Sequence, residues 1–268
     1  MNLKQNSKKR KVGKLNYKDY LKKNKSKIAV WGTGYIGLST MAFFSKNKIK
    51  CVGYDIDKEK VKIINSGKLP IKELKDWFGF DIKNSVNKKY LQATSDHNIF
   101  EKSSFNVHFI AIPTEKNGKP FFDILFSVLK KLIIIIRKKN KIKPVIIIES
   151  TLTPQCSEKK IIPFFKKYNL IPGKDFIYGV APRRDWFVEG TKSLVDIDRV
   201  FGSTDIKSSK VIRDILSIVC KNLHEATSHR VSEMVKSIEN AYRHMEITLA
   251  NQLSLAYPNE NMREVLKL

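Results

Sequence analysis

Two rhythms of apolar residues alternate along the chain: short solid runs of the kind that form buried strands, and runs at helical spacing. β-Branched or solidly apolar runs at Lys27–Trp31, Cys51–Tyr54, 106–112, 144–149 and 176–180 predict strands, with shorter ones at Leu91–Thr94 and 200–202. Between them, helical spacing predicts helices opening near Tyr35 and over Lys58–Asn65, 121–139, 157–168 and 205–220. Asp57 is positioned to cap the second of these and Gly67 to stop it. Residues 68–90 are less regular and hold Pro70 and the aromatic cluster Trp77, Phe78 and Phe80. Strands alternating with helices indicate an α/β fold, a Rossmann-like doubly wound parallel sheet. The last pattern differs. Apolar positions Val231, Met234, Val235, Ile238, Tyr242, Met245, Leu249 and Leu253 describe a single helix over 228–257. At 1.5 Å per residue it would run about 45 Å, longer than the sheet needs, so it is expected to act as the spine of something beyond it. The expected organisation is a solvated basic tail (1–26), a dinucleotide-binding domain (27–222) and the start of a helical domain (223–268).

Composition changes this picture little. With 268 residues, 42% of them hydrophobic, the chain can bury one large core. The net charge of +25 invites a polyanion, but the excess is mostly Lys beside abundant Ile and Asn, which an AT-rich coding sequence also produces. No specific nucleic-acid partner is expected. Cys51, Cys156 and Cys220 show no paired spacing, which suits a reduced cytoplasm. The five histidines form no metal-ligand pattern, and no metal is expected. The lysine-dense start lacks the apolar centre of a signal peptide. The most hydrophobic window, 124–136, is too short for a membrane span and carries Lys130 and Lys131.

Candidate chemistry gathers at strand ends. Gly32, Gly34 and Gly37 follow the first strand in G-x-G-x-x-G spacing, and a helix opens at Tyr35-Ile36. Gly32 allows the tight turn, Gly34 lets backbone approach a pyrophosphate, and Gly37 lets helix pack on strand. The helix N-terminus offers free N–H groups to the phosphates. Asp55, at the end of the second strand, can accept both ribose hydroxyls, and NAD is expected over NADP because this acid would repel a 2′-phosphate, although Lys58 and Lys60 lie nearby. Pro113-Thr114, Ser150-Thr151 and the run Pro182-Arg183-Arg184-Asp185 close three further strands, and all would face the glycine loop's crevice. On the long helix, Lys236 and Asn240 share a face. They read either as an oxyanion-stabilising pair or as a solvated lysine beside a surface asparagine.

Taken in order, GTGYIGL, AIPTEKNGKP, ESTLTP, PRRDWFVEGTK, RVFGSTD and EMVKSIENAYRHMEITLANQLSLA resemble the UDP-glucose/GDP-mannose dehydrogenase family, the NAD-dependent nucleotide-sugar 6-dehydrogenases. The likeness covers 27–268. It implies NAD-dependent oxidation of a sugar C6 hydroxyl to a carboxylate in two hydride transfers, through a cysteine thiohemiacetal and thioester. It implies that Lys236 and Asn240 stabilise the oxyanion, that Glu189 assists the chemistry, that Thr114 places the catalytic water, and that Ser150 and Thr151 line the cofactor crevice. The apolar stripe of 228–257 resembles the family's dimer core, so a homodimer is expected.

Two departures qualify the likeness. The loop from Pro182 to Gly190 is two residues longer than the family's and begins Arg183-Arg184-Asp185, with Asp185 standing in for its first acid. The family's cysteine lies in a G-x-G-G-x-C loop beyond the long helix, whereas this chain has no cysteine after Cys220 and ends at Leu268. The expectation is an N-terminal portion that binds NAD and is inactive alone. The alternatives are a non-catalytic NAD-binding or dimerising fragment and, less specifically, a hydroxyacid dehydrogenase. Cys156, at a helix start, is the one substitute nucleophile the sequence offers.

Overall fold

A computed structural model describes residues 16–138, 142–185 and 193–267. In chain order these form α1 (Tyr17–Lys22), β1 (Lys27–Trp31), α2 (Tyr35–Lys46), β2 (Cys51–Tyr54), α3 (Lys58–Asn65), α4 (Leu74–Phe78), α5 (Lys83–Asn87) and β3 (Leu91–Thr94). Then come β4 (Phe105–Ile110), the small hairpin β5 (Glu115–Lys116) and β6 (Lys119–Pro120), α6 (Asp123–Arg137) and β7 (Val145–Ile148). A π-helical turn (Ser157–Ile161) leads into α7 (Ile162–Lys166), followed by β8 (Ile177–Val180), β9 (Arg199–Ser203), α8 (Ile206–Leu216), β10 (Leu223–Glu225) and α9 (His229–Ala256).

Eight strands make one sheet in the order β10-β9-β8-β7-β4-β1-β2-β3. β1 pairs in parallel with β2 and β4, so both halves of the sheet diverge from it and the crevice opens at its carboxyl end. Alternation along β1 explains the two cores. Ile28 and Val30 pack with α2 and α8 residues such as Phe44 and Ile212. Ala29 and Trp31 face Leu129 and Leu132 of α6 and Phe165 of α7. A doubly wound sheet therefore holds, with one departure from the all-parallel expectation. β9 runs antiparallel to β8, and β10 follows β9 in parallel. An antiparallel return needs no crossover helix, and the chain leaving β8 instead takes Arg183 and Asp185 to the crevice.

Other expectations are refined. The helix expected over 157–168 begins as a π turn and becomes α-helical only at Ile162. Pro163 supplies the reason, because it has no N–H with which to close an α-helical bond. The solvated tail does not extend to Ser26. Asn16 caps α1, Leu21 is fully buried, and the Tyr17 hydroxyl donates to the Lys143 carbonyl at 2.9 Å.

α9 has 28 residues, about 42 Å at the α-helical rise. Ser228 caps it, and its first turns are fastened to the sheet. Ser232 Oγ donates to the Val180 carbonyl at 2.9 Å, and Ser237 Oγ to the Leu152 carbonyl at 3.2 Å. Glu233 Oε1 accepts the Ser157 N–H at 2.9 Å. Further on the helix leaves the sheet, and Ile238, Tyr242, Met245 and Leu249 are all more than half exposed.

Candidate cofactor cleft and active site

A cleft of about 800 Å³ opens at the carboxyl ends of β1, β2, β4 and β7. The glycine loop forms its floor. Gly32 has φ +91°, and a Cβ there would sit 2.5 Å from the Ala111 carbonyl oxygen. At Gly37 a Cβ would lie 1.9 Å from the Gly32 carbonyl oxygen, so α2 seats on β1 only because that position is glycine. Gly34 is the N-cap of α2, no side chain caps the helix, and nothing lies within 4 Å of where a Gly34 Cβ would be. The first turn of α2, at Tyr35 and Ile36, therefore opens onto space lined by the cleft, the arrangement that receives a pyrophosphate. The residues fit a dinucleotide.

Asp55 is turned inward. Its Oδ2 accepts the Thr33 N–H at 3.0 Å, the Thr33 hydroxyl at 2.7 Å and Lys60 Nζ at 3.3 Å. Its Oδ1 accepts the Asp57 N–H at 3.1 Å. Burial pushes this carboxyl up, but the Thr33 and Asp57 hydrogen bonds and Lys60 outweigh it and hold it below the ordinary carboxylate range. The acid expected to receive both ribose hydroxyls thus locks the glycine loop to the end of β2. Thr33, the residue between the first two glycines, was not legible as a participant, and its only signal is a hydroxyl next to the turn.

Beyond Asp55 the cleft is walled by Ile56, Ile124, Val128 and Lys131. Ile56 and Ile124 are exposed, the former at 82%, which suits a purine ring entering between apolar walls. Lys131, which the sequence shows only as a charge inside a hydrophobic helix, puts its ammonium 5.1 Å from the centre of the Tyr54 ring. Burial lowers its pKa.

Pro113, Thr114, Ser150 and Thr151 all line the opposite side. The Thr114 hydroxyl donates to the Thr151 carbonyl at 2.5 Å. Ser150 is occupied structurally: its hydroxyl donates to the Ile112 carbonyl at 2.8 Å and accepts the Ile112 N–H at 2.9 Å, fixing the turn after β4.

Beneath this wall lies a buried charge network that sequence reasoning missed. Glu149, at the end of β7, is 2% exposed; its Oε2 accepts the Thr40 hydroxyl at 2.6 Å, and its Oε1 pairs with Arg199 and lies 3.6 Å from Arg183. Arg183 also donates to Thr40 and Ser39 of α2, at 2.7 and 2.8 Å, and to Asp185 at 2.5 Å. Two acids and two arginines leave the cluster neutral, as burial requires. Arg184 points the other way and grips Glu239 of α9 through two hydrogen bonds of 2.8 and 3.0 Å.

That clamp brings Lys236 to the cleft, where it joins Asp185 and Thr114. Burial lowers its pKa, opposed by Glu239 and Asp185. Asn240, one turn further on, is exposed and is not among the lining residues. Glu189 lies outside the described residues. The three thiols are free and buried, and none lines the cleft. The helix start does not activate Cys156, in line with its weak claim as a substitute nucleophile: burial, with Glu233 nearby, pushes its thiol up to about 11. Among the described residues no cluster of metal-ligating side chains occurs, and no helix is long and apolar enough to cross a membrane.

Sheet, glycine loop and uncapped helix together define a dinucleotide-binding domain of the dehydrogenase class. Residues 26–219 match the UDP-glucose/GDP-mannose dehydrogenase family, NAD binding domain, and the chain belongs to that family. It is 31% identical over 242 residues to the UDP-N-acetyl-D-mannosamine dehydrogenase of Methanococcus aeolicus, covering 85% of this chain and 50% of that protein. The corresponding enzyme of Campylobacter jejuni is 31% identical over 259 residues, covering 91% and 60%. Among solved structures, the UDP-D-ManNAc dehydrogenase of Pyrococcus horikoshii superposes with a TM-score of 0.77 at 30% identity, covering 90% of this chain and 56% of that one. The chain thus spans about half the length of the curated relatives it matches.

Proposed function

We propose that these residues supply the NAD-binding half, and the first catalytic groups, of an enzyme oxidising the C6 hydroxyl of a nucleotide sugar to a carboxylate. The observation that carries the reading is that Lys236, on α9, lines the same cleft as the glycine loop. When bound, NAD supplies the hydride acceptor. The α2 N-terminus with Gly34 holds the pyrophosphate, and Pro113, Thr114 and Thr151 line the side facing it. Lys236, half-buried beside Asp185, stabilises negative charge on the sugar oxygen. Asn240 assists from the next turn, Thr114 orients water, and Glu189 completes the acid–base groups. The relatives' names make UDP-N-acetyl-D-mannosamine the first substrate to try. Three unpaired thiols suit a cytoplasmic setting.

A thiol nucleophile is needed to hold the aldehyde between oxidations, and no cysteine reaches this cleft. The 268 residues by themselves are therefore read as a cofactor-binding unit that pairs through the exposed face of α9. Calorimetry on the purified chain should show NAD binding, while NADH absorbance should stay flat with UDP-glucose, GDP-mannose and UDP-N-acetylmannosamine. Absence of NAD binding would overturn the cofactor assignment. Turnover would overturn the non-catalytic reading of the isolated chain, and its loss in Cys156→Ser would identify the nucleophile.

A further inference from the structure

Two arginines in succession open the loop after β8, and each engages an acid that lies near Lys236. Arg183 Nε donates to Asp185 Oδ2 at 2.5 Å. Arg184 holds both oxygens of Glu239, with Nε on Oε2 at 2.8 Å and Nη2 on Oε1 at 3.0 Å, and Arg243 stands 3.6 Å from Oε1. Glu239 follows Lys236 by three residues on α9, a spacing at which opposite charges ordinarily meet. Here they do not. Among the described residues no acid lies within ion-pairing distance of the Lys236 ammonium, although the residue is half-buried and lines the cleft. The charged groups that face it are Glu239 and Arg243 of its own helix and Arg184 and Asp185 of the loop, two of each sign. Glu233, on the preceding turn, is turned to the Ser157 N–H. Glu115 of the small hairpin also lines the cleft, and Arg183 and Glu149 beneath it face each other.

We propose that Arg184 is a positioning residue: by fixing Glu239 it withholds that carboxylate from Lys236, so that the ammonium stays uncommitted in the cleft and meets the sugar oxygen instead. The inference rests on the reading of Lys236 as the oxyanion-stabilising group. An ammonium already paired with Glu239 would present less charge to an oxygen turning anionic and would have to break that pair during the reaction. A preorganised charge needs no such rearrangement. The planar fork of an arginine suits the task because it occupies both carboxylate oxygens at once, which a lysine cannot do.

The test follows acylation of Lys236 by trace acetic anhydride on the 268-residue chain, read by peptide mass spectrometry from about pH 7 to about pH 11, across the ordinary lysine range. Each rate is divided by its plateau at high pH, where access alone sets it, with exposed Lys88 as internal reference. In Arg184→Met, Glu239 is released to Lys236, and the normalised rate at about pH 8 should fall roughly twofold to fivefold, the range of one partly exposed ion pair. Arg184→Lys, which can hold only one oxygen, should fall less. In Glu239→Gln the rate should rise by a similar factor, because Arg184 and Arg243 then face the ammonium without a counter-ion. A clamp that merely fastened the loop to α9 would let Lys236 swing into water in both variants and lower both rates. The proposal is therefore overturned if Glu239→Gln falls or stays level, or if Arg184→Met does not fall. Adding NAD to the native protein tests the reading beneath it: labelling of Lys236 should slow, and bound NAD that leaves it unchanged would overturn the placement of Lys236 at the cofactor, whatever the variants show.

Discussion

Removing one carboxylate from the floor of the cleft should destabilise the whole domain. Glu149 sits between Arg199, Arg183 and the Thr40 hydroxyl, and the two arginines are 1% and 3% exposed. In Glu149→Ala, Arg183 keeps Asp185, Thr40 and Ser39 as partners. Arg199 does not fare so well. What remains to it is the Ala181 carbonyl at 3.3 Å and the Cys220 sulfur at 4.0 Å, so a buried guanidinium loses its counter-ion. Breaking a buried pair from one side costs about 3–5 kcal/mol, a large fraction of a typical domain's stability. Because Thr40 and Ser39 belong to α2, the helix that opens the phosphate site should also loosen, and NAD should bind more weakly. The assay is urea unfolding followed by tryptophan fluorescence, with stability taken by linear extrapolation. The double variant Glu149→Ala/Arg199→Met removes the stranded charge and should recover much of the loss. A drop below about 1 kcal/mol in the single variant, or no recovery in the double, would refute the view that the network is a neutral, closed charge cluster.

Two further outcomes follow from buried and exposed surface respectively. His108 lies on β4 with its Nδ1 accepting the Trp31 indole N–H at 3.4 Å, and burial, only partly offset by a backbone hydrogen bond at Phe105, pulls its pKa down to about 4. The folded state therefore resists a proton that the unfolded chain takes up near pH 6.5; this stability is complete above that pH and is lost as pH falls toward 4, by about 3 kcal/mol over the interval. His108→Gln should flatten that part of the urea-midpoint profile, and an unchanged slope would sink the assignment. For α9, the exposed Ile238, Met245 and Leu249 should pair two chains, so light scattering should give a dimer that Met245→Glu/Leu249→Glu converts to a monomer with NAD affinity intact; a native protein that scatters as a monomer would remove the pairing from the reading.

What the sequence showed and what it concealed divide along a physical line. Strands β1, β2 and β3 and helix α3 follow their apolar runs to the residue because each is decided by local alternation and a local cap such as Asp57. The glycine loop was legible for a related reason, since Gly32 and Gly37 are demanded by backbone within a single β-turn-α unit. The direction of β9 was not legible, because an apolar run carries no record of which way it enters a sheet. The polar floor was hidden more completely. Arg183 meets Ser39 and Thr40 more than 140 residues away, and Arg199 meets Glu149 across 50. In the sequence Arg183 reads as one of several strand-end residues facing the crevice, and only the sheet order makes it a neighbour of Glu149, Ser39 and Thr40. Asp55 shows how a motif residue can carry a contact that the motif does not record. Its distance from the glycines placed it in the cleft, yet the hydroxyl of Thr33, a position the motif leaves open, draws the carboxylate inward. A glycine there would remove one of the three donors that meet at Oδ2.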